Sequence, residues 1–163
     1  MDNDNGYKLI TDEQGRVFSL FVRQPFAQEL ATETKRIEIR DRRTKMRGDI
    51  LLCSTQKYDY PNAQGGCSVA IVELYDIKPV GELTDEEWAQ TRITKSKRRR
   101  IKAGWAWIFR DARRIIEFPV RSKNKITYIH FNLDDIFIYP KYVVWDKDVG
   151  KEQLDKFLEN IGN

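Results

Sequence analysis

The sequence is poor in the residues that form disulfides and metal sites. Its two cysteines, Cys53 and Cys67, are not in a CxxC or Cys/His spacing, and His130 has no second histidine or cysteine at ligand spacing along the chain. We therefore expect no metal ion and no cofactor, and a structural role for His130.

A long apolar segment is also lacking, and no charged-then-apolar signal segment opens the chain. No stretch approaches the roughly 20 apolar residues that a membrane-spanning helix needs, and the mean hydropathy is −0.63. We therefore expect a soluble, cytoplasmic protein without a membrane partner.

What is present suffices for one hydrophobic core. A chain of 163 residues with 40% hydrophobic and 12% aromatic composition can fold without disulfides or metals. We expect a loosely ordered leader over residues 1–15 and a single domain over residues 16–163, with a helical extension from about residue 150. That helix is predicted from an apolar stripe at i, i+3, i+4 and i+7, formed by Leu154, Phe157, Leu158 and Ile161.

The net charge of +4 hides two basic segments. Residues 40–47, the first basic segment, carry five basic residues and one acid, and residues 95–102, the second basic segment, carry six basic residues and no acid. Together they hold a charge of +10, so the other 147 residues sum to −6. Concentrated Lys and Arg attract polyanions through counterion release. We predict nucleic-acid contacts from Arg40, Arg42, Arg43, Lys45, Arg47, Lys97, Arg98, Arg99 and Arg100.

Other interpretations of these segments remain open. A single basic run is about as often a solvated loop as a binding site. The second basic segment is compatible with a phosphate-binding arm, with a solvated tether and with a nuclear import signal.

Hydrophobic patterning predicts a mostly β chain with short helices. Helices are predicted from Pro25 to about Thr32, where proline suits the first turn, and from Leu83 to about Thr91, where Thr84 can cap the N-terminus. Apolar runs rich in β-branched and aromatic residues predict strands over residues 17–23, 35–40, 48–54, 67–77, 105–109, 115–120, 126–131 and 136–139.

Five sequence blocks, in this order, resemble the ASCH domain, a branch of the PUA-like superfamily. They are Leu20–Ala27 (LFVRQPFA), Lys35–Arg40 (KRIEIR), Thr44–Leu52 (TKMRGDILL), Ala70–Leu74 (AIVEL) and Gly104–Trp107 (GWAW). The resemblance implies an α+β fold, a PUA-like mixed, mostly antiparallel β-barrel flanked by short helices, with a cleft beside it. With the predicted terminal helix, this is the expected architecture.

The resemblance also implies a function. Members of the superfamily are associated with RNA binding, so it implies an RNA- or nucleotide-binding protein with a basic cleft, whose partner is RNA, another nucleic acid or a modified nucleoside. Some small ASCH proteins resemble amidohydrolases that remove an acyl group from a modified cytidine. The alternative is therefore such an amidohydrolase, or a ribonuclease, with Lys35 as the catalytic residue and Glu38 as its partner. This chain has Glu38 where that branch has a catalytic threonine, and Thr91 where its catalytic glutamate is expected.

The candidate pocket residues are Arg23, Gln24, Lys35, Glu38 and Arg40. Arg23 and Gln24 precede the first helix, whose start faces the cleft in the implied fold, and planar Arg suits bidentate contact with a phosphate or a base edge. An ionised Glu38 can accept from an exocyclic amine or can merely position Arg40. Lys35 is a base or nucleophile if burial or neighbouring cations favour its neutral form, and otherwise a cleft-lining salt-bridge lysine.

Period-two alternation adds a geometric prediction. Lys35 and Glu38 are three residues apart, so their side chains point to opposite faces if the strand is regular. By the same alternation, Arg36, Glu38 and Arg40 share one face.

Aromatic residues suggest a stacking surface. Tyr58 and Tyr60 lie in a polar, glycine-containing loop and are candidates for base stacking, which contributes about 1–3 kcal/mol per base. Trp105 and Trp107 alternate on one strand face, and we expect at least one of them in the core.

Overall fold

The computed structural model describes residues 6–56, 63–140 and 159. Tyr58, Tyr60 and the apolar stripe of the predicted terminal helix lie outside the described residues. Within those residues the elements are β1 (Val17–Val22), α1 (Phe26–Ala31), β2 (Ile37–Arg40), β3 (Gly48–Ser54), β4 (Ser68–Pro79), α2 (Asp85–Ala89), α3 (Lys95–Arg98), β5 (Trp105–Arg114) and β6 (Ile126–Ile129).

The strands form one curled sheet in the order β2-β5-β4-β3-β1-β6. β1 and β3 are parallel, and the other neighbouring pairs are antiparallel. The sheet curls into a half-barrel flanked by short helices. This confirms the predicted α+β class with a mixed, mostly antiparallel sheet.

The central strands are apolar on both faces because each face is covered. All six residues of β1 are buried: Leu20 and Val22 pack into one cluster with α1, whereas Val17 and Phe21 pack into another. β3 behaves in the same way, which explains why it reads as a continuous apolar run without alternation.

The segment before β1 packs on the sheet. Tyr7 is buried, Leu9 forms a bridge with Asp49, and Thr11 forms one with Val17. Its backbone groups therefore find partners in the sheet.

Two predicted strands are wrong. Over residues 115–120 and 136–139 the chain forms only isolated bridges, such as Ile115 with Ile138. Pro119 has no N–H group to donate to a ladder, and a 3-10 turn over Leu133–Asp135 precedes the second stretch.

No helix among the described residues is long and apolar enough to cross a membrane.

Candidate functional site

A pocket of about 490 Å³ opens where the two ends of the curled sheet approach each other. β2 is one edge of the sheet, and β6, the other edge, pairs with β1 only as far as Leu20. Past that point the Phe21 carbonyl accepts a hydrogen bond from Arg40 Nη2 at 3.3 Å, which joins β2 to β1. We call this cavity the seam pocket; its described lining is Phe21, Arg23, Phe26, Lys35, Glu38, Ile39, Arg40, Thr55, Ile93 and Lys125.

Because β1 and β3 are parallel, the two lining residues that follow them lie side by side. Arg23 follows the end of β1 and Thr55 follows the end of β3, and the Thr55 N–H donates to the Val22 carbonyl at 3.1 Å. Parallel strands have their carboxyl ends on the same side of the sheet, so both residues reach one cavity.

Lys35 is the most enclosed charge in the pocket, with 2% of its side chain exposed. Its Nζ donates to the Thr91 carbonyl at 2.5 Å and lies 3.2 Å from Glu38 Oε1. The same atom lies 5.1 Å from the centre of the Phe26 ring, within cation–π range. The buried ammonium group is thus surrounded by a carbonyl, a carboxylate and an aromatic face.

Lys35 and Glu38 face each other, since the regular strand on which their opposite orientation depends does not include Lys35. β2 begins only at Ile37, because the N–H groups of Arg36 and Ile37 both donate to the Gln90 carbonyl instead of continuing the strand backwards. Lys35 therefore lies before the regular strand, where alternation does not apply, and its side chain can turn towards Glu38.

Glu38 is paired with a cation at each carboxylate oxygen. Oε1 faces Lys35, and Oε2 lies 3.5 Å from Arg40 Nη1, with both Glu38 and Arg40 only 12% exposed. The three side chains form a charged array, in which Lys35 is buried and the other two are partly exposed, with a net charge of +1. Arg36 is not part of it, contrary to the alternation argument: it is 52% exposed and lies 3.8 Å from Glu33.

Gln24 does not line the seam pocket, although the sequence analysis places it there. It is 1% exposed, its Nε2 donates to the Gln64 carbonyl, and its Oε1 accepts from the Gln28 N–H, each at 2.9 Å. Its amide groups are satisfied by backbone, so it fixes the start of α1 against the loop before β4.

The first basic segment contributes one residue, Arg40, to the seam pocket. Arg42 lines a neighbouring groove of about 550 Å³, here named the Arg42 groove, formed by Ile39–Arg42 and Lys123–Ile126. Arg43 stacks 4.7 Å from the ring centre of Trp105, and Arg47 donates to the Thr44 and Met46 carbonyls. Lys45 is exposed.

The segment leaves the sheet at a tightly packed corner. A Cβ on Gly104, whose φ is +123°, would lie 3.0 Å from the Arg40 carbonyl oxygen. Glycine therefore allows β5 to begin directly beside Arg40. Trp107 is fully buried two residues into β5, and its Nε1 donates to the Arg42 carbonyl at 2.8 Å.

The second basic segment forms a separate groove of about 480 Å³ with Val80, Leu83 and Trp88. It begins with α3, whose N-terminus is capped by Thr94. Arg98 Nη2 donates to Asp85 Oδ1 at 2.9 Å, and its guanidinium lies 4.9 Å from the Trp88 ring centre. Lys97, Arg99 and Arg100 are exposed.

α2 leads into the residue whose carbonyl holds the Lys35 ammonium group. Thr84 and Glu87 form a reciprocal capping box at its start. A hydrogen bond from Lys78, on β4, lowers the pKa of Glu87 and ties α2 to the sheet. Thr91, at the end of this unit, is fully buried, and its hydroxyl donates to the Trp88 carbonyl at 2.6 Å, so only its own carbonyl meets Lys35.

Sequence reasoning missed six lining residues, which are Phe21, Phe26, Ile39, Thr55, Ile93 and Lys125. A signal for one of them was present, because residues 121–125 (RSKNK) contain three cations in five positions. The other five are ordinary core, strand or loop residues in sequence, and only the fold brings them to the cavity.

A metal site finds no support among the residues described. No group of three or more His, Cys, Asp or Glu side chains lies close enough to hold an ion within residues 6–56 and 63–140. His130 is exposed.

Comparison with known proteins identifies the fold. The family model described as the ASCH domain matches residues 20–148. The structure is similar to that of ASCH from Zymomonas mobilis, with a TM-score of 0.56 and 14% identity over 69% of this chain and 87% of that one. A serine-to-alanine mutant of the same protein gives a TM-score of 0.56 and 12% identity over 86% of this chain and 94% of that one. No curated protein sequence matches the chain.

Proposed function

The chain belongs to the ASCH domain family, and from that premise we propose that it binds RNA, or a modified nucleoside, with one nucleotide in the seam pocket. The family, with its PUA-like fold, supports a nucleic-acid-binding or related role. What the site adds is a place for a base and a place for a phosphate.

The observation that carries this proposal is the charged array of Lys35, Glu38 and Arg40. Its charges are held by fixed partners and have little exposure, so they meet a ligand without first being ordered. Each oxygen of a carboxylate has two acceptor positions. Glu38 therefore retains the capacity to accept from the exocyclic amine of a base while remaining paired.

The walls of the pocket suit the flat face of a base. Phe26, whose ring lies beside Lys35, contributes aromatic surface next to the charged array, and stacking on an aromatic side chain tolerates any base. The volume of about 490 Å³ lies within the usual range for small-ligand sites, about 300–1,000 Å³.

Arg23 and Lys125 supply positive charge at the rim. Both line the pocket, and both side chains are exposed. Phosphate contacts give affinity and register, whereas base contacts give selectivity. We assign the phosphate to this rim and the base to the charged array.

The proposal is tested by the fluorescence anisotropy of labelled nucleotides and short RNAs, titrated with protein at low salt. Arg23→Ala should weaken binding about tenfold or more, since a charge-assisted hydrogen bond contributes about 1.5–3 kcal/mol. Glu38→Gln should reduce discrimination between cytidine and uridine nucleotides. Arg110→Gln serves as the control, because it removes an exposed cation of β5 that does not line the seam pocket. Absence of binding, or wild-type behaviour of both pocket variants, contradicts the proposal.

A second candidate, hydrolysis, is favoured by the contact between Lys35 and Glu38 in a ligand-sized pocket. Lys35 would act on the amide of an acylated nucleoside, or on RNA, with Glu38 as its partner. The buried hydroxyl of Thr91 is bonded elsewhere and does not assist. Acylated cytidine and labelled RNA, incubated with the wild type and with Lys35→Met, decide this: products formed by the wild type alone support it, and intact substrates reject it.

A further inference from the structure

Three depressions meet at one lysine. The seam pocket adjoins the Arg42 groove through Ile39, Arg40 and Lys125. It also shares Phe21, Thr55 and Lys125 with a third depression of about 550 Å³, here named the Arg121 groove because it contains Gln56, Val120 and Arg121. The two grooves have Lys123 in common. Lys125 lines all three.

The backbone fixes Lys125 at this junction. Its carbonyl accepts a hydrogen bond from the Phe21 N–H at 2.7 Å, and β6 begins at the next residue. The residue is thus held against β1 where the seam opens, while its side chain is exposed. Arg121 is also placed, because its Nε lies 2.6 Å from the side-chain amide oxygen of Gln56.

The continuous surface is strongly positive. Of the described residues that line the three depressions, seven are Lys or Arg and two, Glu38 and Asp41, are acidic. Concave subsites of this size, separated by cations, match a chain of bases joined by phosphates. A duplex keeps its bases stacked and paired, whereas a single strand can turn each base into a pocket.

We propose that the protein binds a single strand of nucleic acid along this path, with adjacent nucleotides in the Arg42 groove, the seam pocket and the Arg121 groove, and with Lys125 contacting the phosphates between them. The inference rests on the proposed function, because the seam pocket is one of its three subsites. It adds that the ligand is single-stranded, that the strand runs across the three depressions, and that it has a minimum length of about three nucleotides.

The experiment measures affinity against length. Labelled RNAs of one, two, three, four and six nucleotides, with all four bases mixed at each position, are titrated with wild-type protein. Binding should tighten by at least about tenfold from one nucleotide to three and change little beyond four. Duplex RNA of the same strand should bind more weakly than the single strand. Single-stranded DNA of equal length distinguishes RNA from DNA as the ligand. Weaker binding of DNA assigns the path to RNA, and equal binding assigns it to RNA and DNA alike.

A double variant localises the path. Arg121→Ala with Lys123→Ala should lose the gain with length yet bind the mononucleotide as the wild type does, because neither residue lines the seam pocket. The charge-matched control is Arg16→Gln with Arg110→Gln, a partly exposed and an exposed cation that line none of the three depressions.

Two results overturn the inference. One is equal affinity for the mononucleotide and the hexanucleotide, and the other is a duplex that binds as tightly as the single strand. If the mononucleotide still binds and responds to Arg23→Ala, the proposed function stands and only the path fails. If length matters but Arg23→Ala and Glu38→Gln have no effect, the proposed function fails instead.

Discussion

Arg40 and Arg98 each pair with a carboxylate, but the two pairs lie in different surroundings. Arg40 and its partner Glu38 are both 12% exposed, and Glu38 also holds Lys35, which is 2% exposed. Arg98 is 35% exposed and its partner Asp85 is 87% exposed. The first pair belongs to the seam pocket, and the second joins the second basic segment to α2.

This difference separates two uses of positive charge. A buried charge must keep its partner because water cannot replace it, so its position is fixed. An exposed charge is screened by salt and free to move, so it attracts a polyanion without selecting one. Charge density alone, by which both segments look alike in sequence, does not reveal which kind of site is present.

The largest expected effect is on stability, from Glu38→Ala. The change leaves Lys35 buried without its carboxylate, and breaking a buried pair by removing one partner costs about 3–5 kcal/mol. Urea unfolding followed by circular dichroism should show a lower midpoint with an unchanged slope. A loss below about 1 kcal/mol would mean that the Thr91 carbonyl alone satisfies Lys35.

A double-mutant cycle should give the next largest effect. Lys35→Met and Glu38→Gln, measured singly and together, should show an interaction energy of about 1–3 kcal/mol, since contacting residues couple in this range. Unfolding free energies of the four proteins provide the value. Additive losses would show that the contact at 3.2 Å contributes little to folding.

Much of the architecture was predictable because local patterns and tertiary structure agree. The apolar runs that became β1, β3 and the first half of β4 are buried on both faces, and the cap at Thr84 starts α2 as its side chain predicts. Strand order was not predictable from patterns, since neither the parallel pairing of β1 with β3 nor the seam follows from periodicity.

The site was predictable in its members more than in its geometry. Arg23, Lys35, Glu38 and Arg40 do line one pocket, and the sequence blocks point to them. Alternation failed at Lys35 because backbone bonds to Gln90 delay the start of β2. Lys125 was missed because residues 121–125 lie some 80 positions after Arg40 in the chain, and only the pairing of β6 with β1 in the curled sheet brings them to the pocket.

The basic segment over residues 95–102 should affect binding uniformly. Replacing Arg98, Arg99 and Arg100 together by Ala should weaken RNA binding by about tenfold at low salt, equally for all sequences. It should also flatten the dependence of log affinity on log salt by about 0.7 for each phosphate that the protein no longer neutralises. Anisotropy titrations at several salt concentrations measure both quantities. Unchanged affinity would remove this segment from the interface and leave the interpretations as tether or import signal.

The smallest effect is expected for the exposed pair itself. A cycle of Arg98→Ala and Asp85→Ala should give an interaction energy of less than about 1 kcal/mol, because solvent competes for both groups and salt screens them. The single Asp85→Ala change should tighten RNA binding slightly, since it removes a negative charge beside the basic groove. A cycle as strong as that of Lys35 and Glu38 would show that stacking of Arg98 on Trp88, 4.9 Å from the ring centre, shields the pair from water. The two regions would then differ in position alone and not in the way they hold charge.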